Sequence, residues 1–257
     1  MTTKLQWLAH ASCLISNQDY ILLTDPWFLK KAFTSWTTKP PPVVNPKLLI
    51  DMSKSGKLGI IISHHHFDHY DIDFIKQCAK DTPIIIADFS ESKEYNFPEV
   101  KTLYNSLKKH CHMENIIEIP IGEKCSFKFG PFKIQKLRET SHDTIDSITT
   151  IATNDCFIIH GNDATGVPND SPAADILRKI KPPNLPSIWM GQGGTANGWP
   201  LNYYCYSKHE KKNILDAKNL TLIKEMQETC KMFGIDKALL YAHLSHVLIN
   251  ELSLIHI

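Results

Sequence analysis

The stretch LGIIISHHHFDH, residues 58–69, is the most informative segment of this 257-residue chain. Its apolar first half is typical of a fully buried β-strand, and the pattern H-x-H-x-D-H begins where that strand ends. His64 and His66 are two residues apart and project to one side, whereas Asp68 and His69 begin the next turn and reach a second point nearby. Imidazoles and a carboxylate at this spacing suit divalent metals such as Zn or Fe. Because the pattern directly follows a buried strand, a metal site is a better interpretation than a solvated histidine-rich loop.

The segments on either side of this stretch indicate a chain that alternates short strands and helices. Residues 26–57 are an exception, because Pro40–Pro42 and Pro46 interrupt helices and strands, and we predict an irregular loop there. Strands are predicted over residues 5–8, 12–16, 20–24, 58–63, 83–87 and 116–119, and helices over 72–79 and 99–109. This alternation predicts a sheet with helices on its outer face.

The second half of the chain repeats this organisation. Strands are predicted over residues 125–129, 132–137, 147–152, 156–159, 187–190 and 237–241, with a helix over 173–180. A longer amphipathic helix is indicated by apolar residues that recur every three or four positions from Leu215 to Phe233. Two β-rich halves, each completed by helices, predict an α/β protein with four layers, an αββα sandwich that forms one domain.

Composition excludes several classes of protein. With 42% hydrophobic and 21% charged residues, the chain is globular rather than collagen-like, coiled-coil or disordered. The formal net charge of +1 offers no basic surface for nucleic acid, and no apolar run reaches the roughly 20 residues of a membrane-spanning helix. The 7 cysteines are scattered without a C-x-x-C pair, which is typical of a reducing cytoplasm. We therefore expect a cytoplasmic protein that acts on a small molecule, in an oligomeric state that the sequence leaves open.

The last six residues, 252–257, require separate treatment. Their sequence LSLIHI matches the translation of a common sequencing adapter, and it matches an ordinary apolar C-terminal strand equally well. We keep both interpretations and leave these residues out of the site. The domain is assigned to residues 1–251. Under the adapter interpretation, residues 252–257 are a non-native tail on a fold that is truncated at its C-terminus.

Three short motifs carry a resemblance to a known superfamily. The motifs LAHAS over residues 8–12, LTDPWF over 23–28 and ISH over 62–64 resemble those of the metallo-β-lactamase-fold superfamily. Within it, the chain is similar to the branch that contains ascorbate-6-phosphate lactonase-like and N-acylphosphatidylethanolamine phospholipase D-like proteins, and to the corresponding domain of CMP-N-acetylneuraminate hydroxylase. The resemblance covers most of the chain, and it implies the same αββα sandwich.

The resemblance also implies two divalent metal ions, zinc in the first place and iron or manganese as alternatives. It assigns His64, His66 and His142 to the first ion, Asp68, His69 and His243 to the second, and Asp163 to both. Two points stay open. His246 is the alternative to His243. Asn162 stands between Gly161 and Asp163, where the family has the aspartate directly after the glycine, so His160 or Asn162 is also expected near the site.

Further residues are expected around the ligands. In the resembling families an aspartate at the position of Asp25 orients a ligand imidazole, although a turn-starting aspartate before Pro26 explains the dipeptide equally well. His10, at a corner between strands, is interpreted as a structural histidine with satisfied hydrogen bonds that supports the site without binding metal. The glycine-rich loop over residues 191–200 is predicted to form a wall of the substrate pocket. The pocket candidates are Trp27, Gln192, Trp199, Tyr203 and His246.

Metal chemistry leads to a functional hypothesis. Two metal ions about 3.5–4 Å apart can activate a bridging water and polarise a substrate oxygen. No protein nucleophile is evident, so a hydroxide held by the metals is the expected attacker, with Asp68 placed to orient it or to receive its proton. The sequence thus predicts a metal-dependent hydrolase for a phosphodiester, a lactone or another ester. Two alternatives remain: a di-iron enzyme that uses oxygen and takes electrons from another protein, and a non-catalytic metal-binding domain.

Overall fold

Short runs of branched and aromatic residues form the strands of two sheets, as their β propensity favours. The computed structural model of the protein describes residues 2–32, 37–38, 41–90, 101–138, 146–193 and 205–241. The first half contains β1 (Lys4–Ala9), β2 (Ser12–Asn17), β3 (Tyr20–Thr24), α1 (Pro46–Ser53), β4 (Leu58–Ile61), α2 (Ile72–Ile75), β5 (Ile84–Asp88), α3 (Thr102–Asn105) with a π-helical turn (Ser106–His110), and β6 (Ile116–Pro120). The second half contains β7 (Phe127–Phe129), β8 (Phe132–Arg138), β9 (Ser147–Ala152), β10 (Phe157–Asn162), α4 (Pro172–Ile180), β11 (Ser187–Gln192), α5 (Lys208–Phe233) and β12 (Lys237–Tyr241).

Each sheet combines antiparallel and parallel strands. Within the described residues, the first sheet has the strand order β1-β2-β3-β4-β5-β6, and the second has the order β12-β11-β10-β9-β8-β7. The strands from β1 to β3 are antiparallel and those from β3 to β6 are parallel. In the second sheet the strands from β7 to β10 are antiparallel and those from β10 to β12 are parallel. The two sheets therefore share one design, and the parallel strands of each sheet end at a common edge.

Three apolar clusters separate the layers of the structure. Ile61 of the first sheet and Ile158 of the second belong to the cluster between the sheets. The outer face of the first sheet packs against the helices that include Phe74 of α2. The outer face of the second sheet packs against Leu177 of α4 and Met226 of α5. The order of layers is helix, sheet, sheet, helix, and the predicted four-layer αββα sandwich is confirmed.

Helix α1 corrects one prediction. Residues 26–57 were expected to be an irregular loop, yet Pro46–Ser53 form a helix. The side chain of Asn45 accepts a hydrogen bond from the backbone N–H of Lys47 and so caps the first turn. Pro46 lies in that first turn, where its missing N–H removes no helical hydrogen bond. The prediction failed because it treated this proline as a helix breaker, whereas its position favours a helix start.

Helix α2 is shorter than predicted. It ends at Ile75 rather than at residue 79. Beyond it, the backbone N–H groups of Gln77 and Cys78 donate to carbonyls three residues back, as in tight turns. The helix predicted over residues 99–109 is also irregular, because α3 continues into the π-helical turn that ends at His110.

Helix α5 has clear signals at both ends. Ser207 and Glu210 form a reciprocal capping box at its start, and Gly234 takes a left-handed conformation with φ 57° at its end. The helix covers the second sheet through buried residues such as Ile223 and Met226. Among the described residues, no helix combines the length and the apolar composition needed to cross a bilayer.

Candidate metal centre

The candidate site lies where strand ends from both sheets come together. Asp25 follows β3, Ser63 and the H-x-H-x-D-H pattern follow β4, and Asp163 follows β10. Parallel strands end at the same edge of a sheet, so the polar residues that follow these strand ends in the chain lie close together. The two sheets are joined at this edge by Ser147 of β9, whose Oγ donates to the backbone oxygen of Ser63 at 2.8 Å.

The first ligand group consists of His64, His66 and Asp163. Nε2 of His64 and Nδ1 of His66 face each other at 2.7 Å, and Oδ2 of Asp163 lies 3.8 Å from Nε2 of His64. One donor atom of each residue lies within 4.8 Å of the others. This spacing suits a single ion with ligand distances of about 2.0–2.2 Å. His64 and His66 therefore meet at one point, as their spacing in the sequence predicts.

The second ligand group consists of His10, Asp68 and His69. Oδ2 of Asp68 lies 3.3 Å from Nε2 of His10 and 3.9 Å from Nε2 of His69, and the three donor atoms also lie within 4.8 Å of one another. Asp68 and His69 were expected together here. The sequence places His10 beside the site as a supporting residue, and in the structure its buried Nε2 faces the Asp68 carboxylate without a hydrogen bond of standard geometry.

Asp163 connects the two groups. Its Oδ1 lies 3.2 Å from Nε2 of His69, and its Oδ2 faces His64. The intervening Asn162 is accommodated by a β-bulge, since the pairing of β10 with β11 shifts between His160 and Asn162. Asn162 takes a left-handed conformation with φ 48°, which asparagine tolerates better than most residues. The extra residue is thus absorbed within the strand, and Asp163 faces both ligand groups.

Contacts behind the two main imidazoles hold them in place. Nδ1 of His64 lies 3.0 Å from Oγ of Ser63 and 3.3 Å from Oδ1 of Asp146. Nδ1 of His69 lies 3.1 Å from Oδ2 of Asp25. Such contacts on one ring nitrogen orient the ring and leave the other nitrogen for a metal. Asp25 makes the contact that the resemblance implies. Asp146 was missed, because an aspartate directly before a strand forms no recognisable pattern.

The chemistry of the donor atoms fits a divalent metal. Within the two ligand groups, four buried atoms have no hydrogen bond of standard geometry: Nε2 of His10, Oδ1 of Asp68, Nε2 of His69 and Oδ1 of Asp163. Burying polar atoms without partners is costly. A cation bound by these nitrogen and carboxylate oxygen donors would satisfy them, and both donor types suit zinc and iron. The residues present therefore fit the metal that the sequence predicts.

The carboxylates of the site are held in their charged form. Burial raises the pKa of Asp25, but the hydrogen bond with His69 and the nearby imidazoles outweigh it and lower the pKa to about 2. Burial likewise opposes ionisation of Asp163, yet the adjacent His69 and His64 hold its pKa well below the usual range. Burial also opposes ionisation of Asp68, but His69 and His10 together outweigh it and lower the pKa of Asp68. Anionic carboxylates are the form that a metal requires.

The imidazoles of the two ligand groups differ. Burial and the neighbouring imidazoles His64 and His69 lower the pKa of His66 to about 4. Burial also disfavours protonated His69, but the carboxylates of Asp163 and Asp68 outweigh it and raise its pKa well above the usual value. In the metal-free protein the His66 imidazole is therefore neutral near pH 7, whereas His69 is a positively charged imidazolium.

A buried lysine lies beneath the site. Nζ of Lys136 in β8 donates to the backbone oxygen of Ile62 at 3.1 Å and to Oγ1 of Thr149 at 2.8 Å. Burial lowers the pKa of Lys136 to about 8, although nearby carboxylates oppose this shift. The ammonium group ties the second sheet to the backbone just before the ligand segment. The sequence gives no signal for this role, since Lys133 in the same strand is exposed.

The other predicted site residues have different outcomes. Trp27 is buried and packs edge-on against the ring of His10, with ring centroids 5.1 Å apart. Gln192 is the last residue of β11 and is half-buried. His160 is buried and stacks on Tyr241, with its Nε2 3.6 Å from Oδ2 of Asp25. Five candidates lie outside the described residues: His142, Trp199, Tyr203, His243 and His246.

A family comparison agrees with this architecture. The family model for the beta-lactamase superfamily domain matches residues 4–166, which is more than half of the chain. The chain belongs to this superfamily, and its two-sheet sandwich is the metallo-β-lactamase fold. The particular branch that the sequence motifs suggest stays a prediction.

Solved structures show the same fold at low sequence identity. CmlA, a diiron beta-hydroxylase from Streptomyces venezuelae, aligns with a TM-score of 0.54 at 12% identity over 93% of this chain and 44% of its own. An isothiocyanate hydrolase from Delia radicum gut bacteria aligns with a TM-score of 0.54 at 15% identity over 98% of this chain and 88% of its own. Igni18, a metallo hydrolase from Ignicoccus hospitalis, aligns with a TM-score of 0.52 at 12% identity over 95% and 83%. The chain spans less than half the length of CmlA.

Proposed function

We propose that the protein is a metal-dependent hydrolase that holds two divalent metal ions, zinc in the first place. The proposed substrate is a small molecule with a phosphodiester, lactone or other ester bond. One observation carries this proposal: the carboxylate of Asp163 lies between two separate ligand groups, with one oxygen toward His69 and the other toward His64. A carboxylate in that position is suited to join two ions in one centre.

The residues of this chain would divide the work as follows. His64, His66 and Asp163 would bind one ion, and Asp68 and His69 would bind the other with Asp163. His142 and His243 are the further ligands expected from the sequence. When bound, the ion pair supplies a Lewis acid and an activated water. Ser63 and Asp25 would orient the rings through their contacts with Nδ1 of His64 and of His69.

Asp68 is proposed to handle the proton. Its Oδ1 is buried and has no hydrogen bond, while its Oδ2 faces His10. The pKa of Asp68 is lowered by His69, so the carboxylate is charged near pH 7 and can accept a proton. A carboxylate oxygen with a free lone pair in the second ligand group can orient an attacking water and receive its proton.

Charge and thiols support the proposed substrate class and compartment. The formal net charge of +1 favours a small substrate over a polyanion. The thiols of the chain are free in the structure, and six of these cysteines are buried or half-buried in apolar surroundings: Cys13, Cys78, Cys111, Cys125, Cys156 and Cys230. Free thiols are typical of a reducing compartment, and we propose a cytoplasmic location.

Metal analysis combined with hydrolysis assays tests the proposed function. We expect about two zinc ions per chain, a colourless protein, and hydrolysis of bis(4-nitrophenyl) phosphate, 4-nitrophenyl esters or simple lactones. A chelator should abolish the hydrolysis, and added zinc should restore it. Iron with visible absorption and no hydrolysis would favour the di-iron alternative. Metal binding without turnover of any substrate class would favour the non-catalytic alternative.

A further inference from the structure

His10 has a backbone conformation that needs an explanation. It lies at the corner between β1 and β2 and has φ 42°, in the left-handed region. For a residue with a Cβ this conformation costs about 1–2 kcal/mol. Glycine would adopt it without strain, so the turn by itself does not require an imidazole at this position. The corner is held by the backbone oxygen of His10, which accepts a hydrogen bond from Nε1 of Trp7 at 2.9 Å.

The imidazole of His10 is fixed against two other rings. It packs edge-on against Trp27 with ring centroids 5.1 Å apart, and against His69 with centroids 5.5 Å apart. Trp27 is itself immobilised, because it is buried and its Nε1 donates to the backbone oxygen of Lys30 at 2.6 Å. A side chain held in this way presents its free nitrogen in one direction.

That direction is toward Asp68 and His69. Nε2 of His10 lies 3.3 Å from Oδ2 of Asp68 and is buried without a hydrogen bond. Two donor atoms that bind one ion at about 2.0–2.2 Å are separated by at most about 4.4 Å. The separations of 3.3 Å from His10 to Asp68 and 3.9 Å from Asp68 to His69 both fall inside this limit.

We propose that Nε2 of His10 is a direct ligand of the metal ion held by Asp68 and His69. The second ion then takes ligands from two places on the first sheet, the β1–β2 corner and the segment after β4. Trp27 acts as a positioning residue, since it fixes the ring that carries the donor. The inference rests on the proposed function in one respect, because it requires a metal ion in the second ligand group.

Nuclear magnetic resonance of the full chain tests this bond directly. The protein is labelled with nitrogen-15 in its histidines and loaded with cadmium-113 in place of zinc. A scalar coupling between cadmium and a ring nitrogen appears only when the two are bonded. We expect a coupled Nε2 signal that disappears in His10→Asn, a variant chosen because asparagine tolerates left-handed φ. If His10 only hydrogen-bonds to Asp68, all coupled signals persist in the variant, and the inference is wrong.

Metal affinity gives a second readout. Loss of a residue that merely supports a ligand costs about 10–100-fold in affinity, so loss of a direct ligand should cost at least about 100-fold for one of two zinc ions. His112→Asn is the matched control, because His112 also has a left-handed φ of 56° and is exposed. Competition with a zinc chelator should leave both ions of that control at wild-type affinity. Equal affinities in His10→Asn and wild type would overturn the inference.

The same measurements separate failure of this inference from failure of the proposed function. If the wild-type protein binds two ions and His69 is coupled to cadmium while His10 is not, only the role of His10 is wrong. If the wild-type protein binds no ion at Asp68 and His69, the dinuclear site is wrong, and the inference about His10 is wrong with it.

Discussion

The two sheets contribute to the site in different ways. The first sheet supplies a contiguous ligand segment after β4, in which His64, His66, Asp68 and His69 are close in the chain. The second sheet supplies Asp163, which faces these candidate ligands directly after a β-bulge at Asn162. Local spacing thus arranges the first set of donors, whereas packing between distant segments positions the carboxylate that connects them.

The comparison extends to charge. The first sheet brings imidazoles together, and crowding helps to lower the pKa of His66 to about 4. The Asp163 carboxylate from the second sheet has the opposite effect on His69, whose pKa it raises. The second sheet therefore supplies both negative charge beside the ligands and, through Lys136, a cation beneath them. The pattern of candidate ligands is therefore set by neighbouring residues in the chain, whereas the pKa values of these residues depend also on charges from the second sheet.

The largest expected effect concerns the first-sheet segment. Asp68→Ala should lower kcat for ester or phosphodiester hydrolysis by about 10²–10⁴-fold, the range of a positioned acid–base group. Steady-state kinetics with measured metal content checks this. Asp73→Ala is the control, because Asp73 is exposed nearby and its loss removes the same charge. Unchanged turnover in Asp68→Ala at full metal content would remove Asp68 from the mechanism.

The second prediction tests whether a single residue of the second sheet serves both ligand groups. Asp163→Asn keeps the shape of the side chain and removes its charge. We expect both zinc ions to bind at least about 100-fold more weakly, because Asp163 is proposed as a direct ligand of both. Chelator competition measures the two affinities, with the exposed Asp170→Asn as control. If only one ion is weakened, Asp163 serves one group and the two sheets contribute more independently than proposed.

The third prediction concerns the cation beneath the site. In Lys136→Met the backbone oxygen of Ile62 and the hydroxyl of Thr149 lose a donor, which should lower the free energy of unfolding at pH 9 by about 1–3 kcal/mol. The folded-state pKa of about 8 is below the ordinary 10.5, so the unfolded chain binds more protons between these values. The free energy of unfolding of the wild type should therefore rise relative to that of the variant as pH increases through this window.

Denaturant unfolding at several pH values measures this difference. Lys133→Met is the control, since Lys133 is an exposed lysine of the same strand. A difference between wild type and Lys136→Met that is constant from pH 8 to pH 10.5 would show that Lys136 does not titrate in this range.

The smallest expected effect is a difference in pH dependence between the two ions. Zinc must displace the proton of His69, whose pKa is raised, but it meets a neutral His66 near pH 7. Because this proton is released on binding, the affinity for the second ion should increase about tenfold for each unit by which the pH rises, up to the pKa of His69. Calorimetry in buffers of different protonation enthalpy should show one proton more released by the second ion than by the ion bound through His66. Equal proton release at both ions contradicts the contrast between the two groups.

The sequence alone was sufficient for the fold class and for locating the histidine-rich segment after β4. Alternating strands and helices predict the αββα sandwich, and the buried strand before Ser63 predicts where the ligands begin. His64 and His66 lie two residues apart directly after a buried strand, and their rings meet at 2.7 Å. These features depend on neighbours in the chain, so they can be deduced without knowing what packs against them.

Tertiary structure decided the rest, because the decisive contacts join residues far apart in the chain. His10 faces Asp68 across 58 positions, and Asp146 contacts His64 across 82. Asp146 lies in no recognisable pattern, and the LAHAS motif that contains His10 does not show which residue His10 faces. An exposed and a buried lysine in β8 look alike until the second sheet is in place. Only the packing of the two sheets against each other determines which of these polar groups is buried. Burial strengthens the interactions between polar side chains, and this is why the buried groups can form the site.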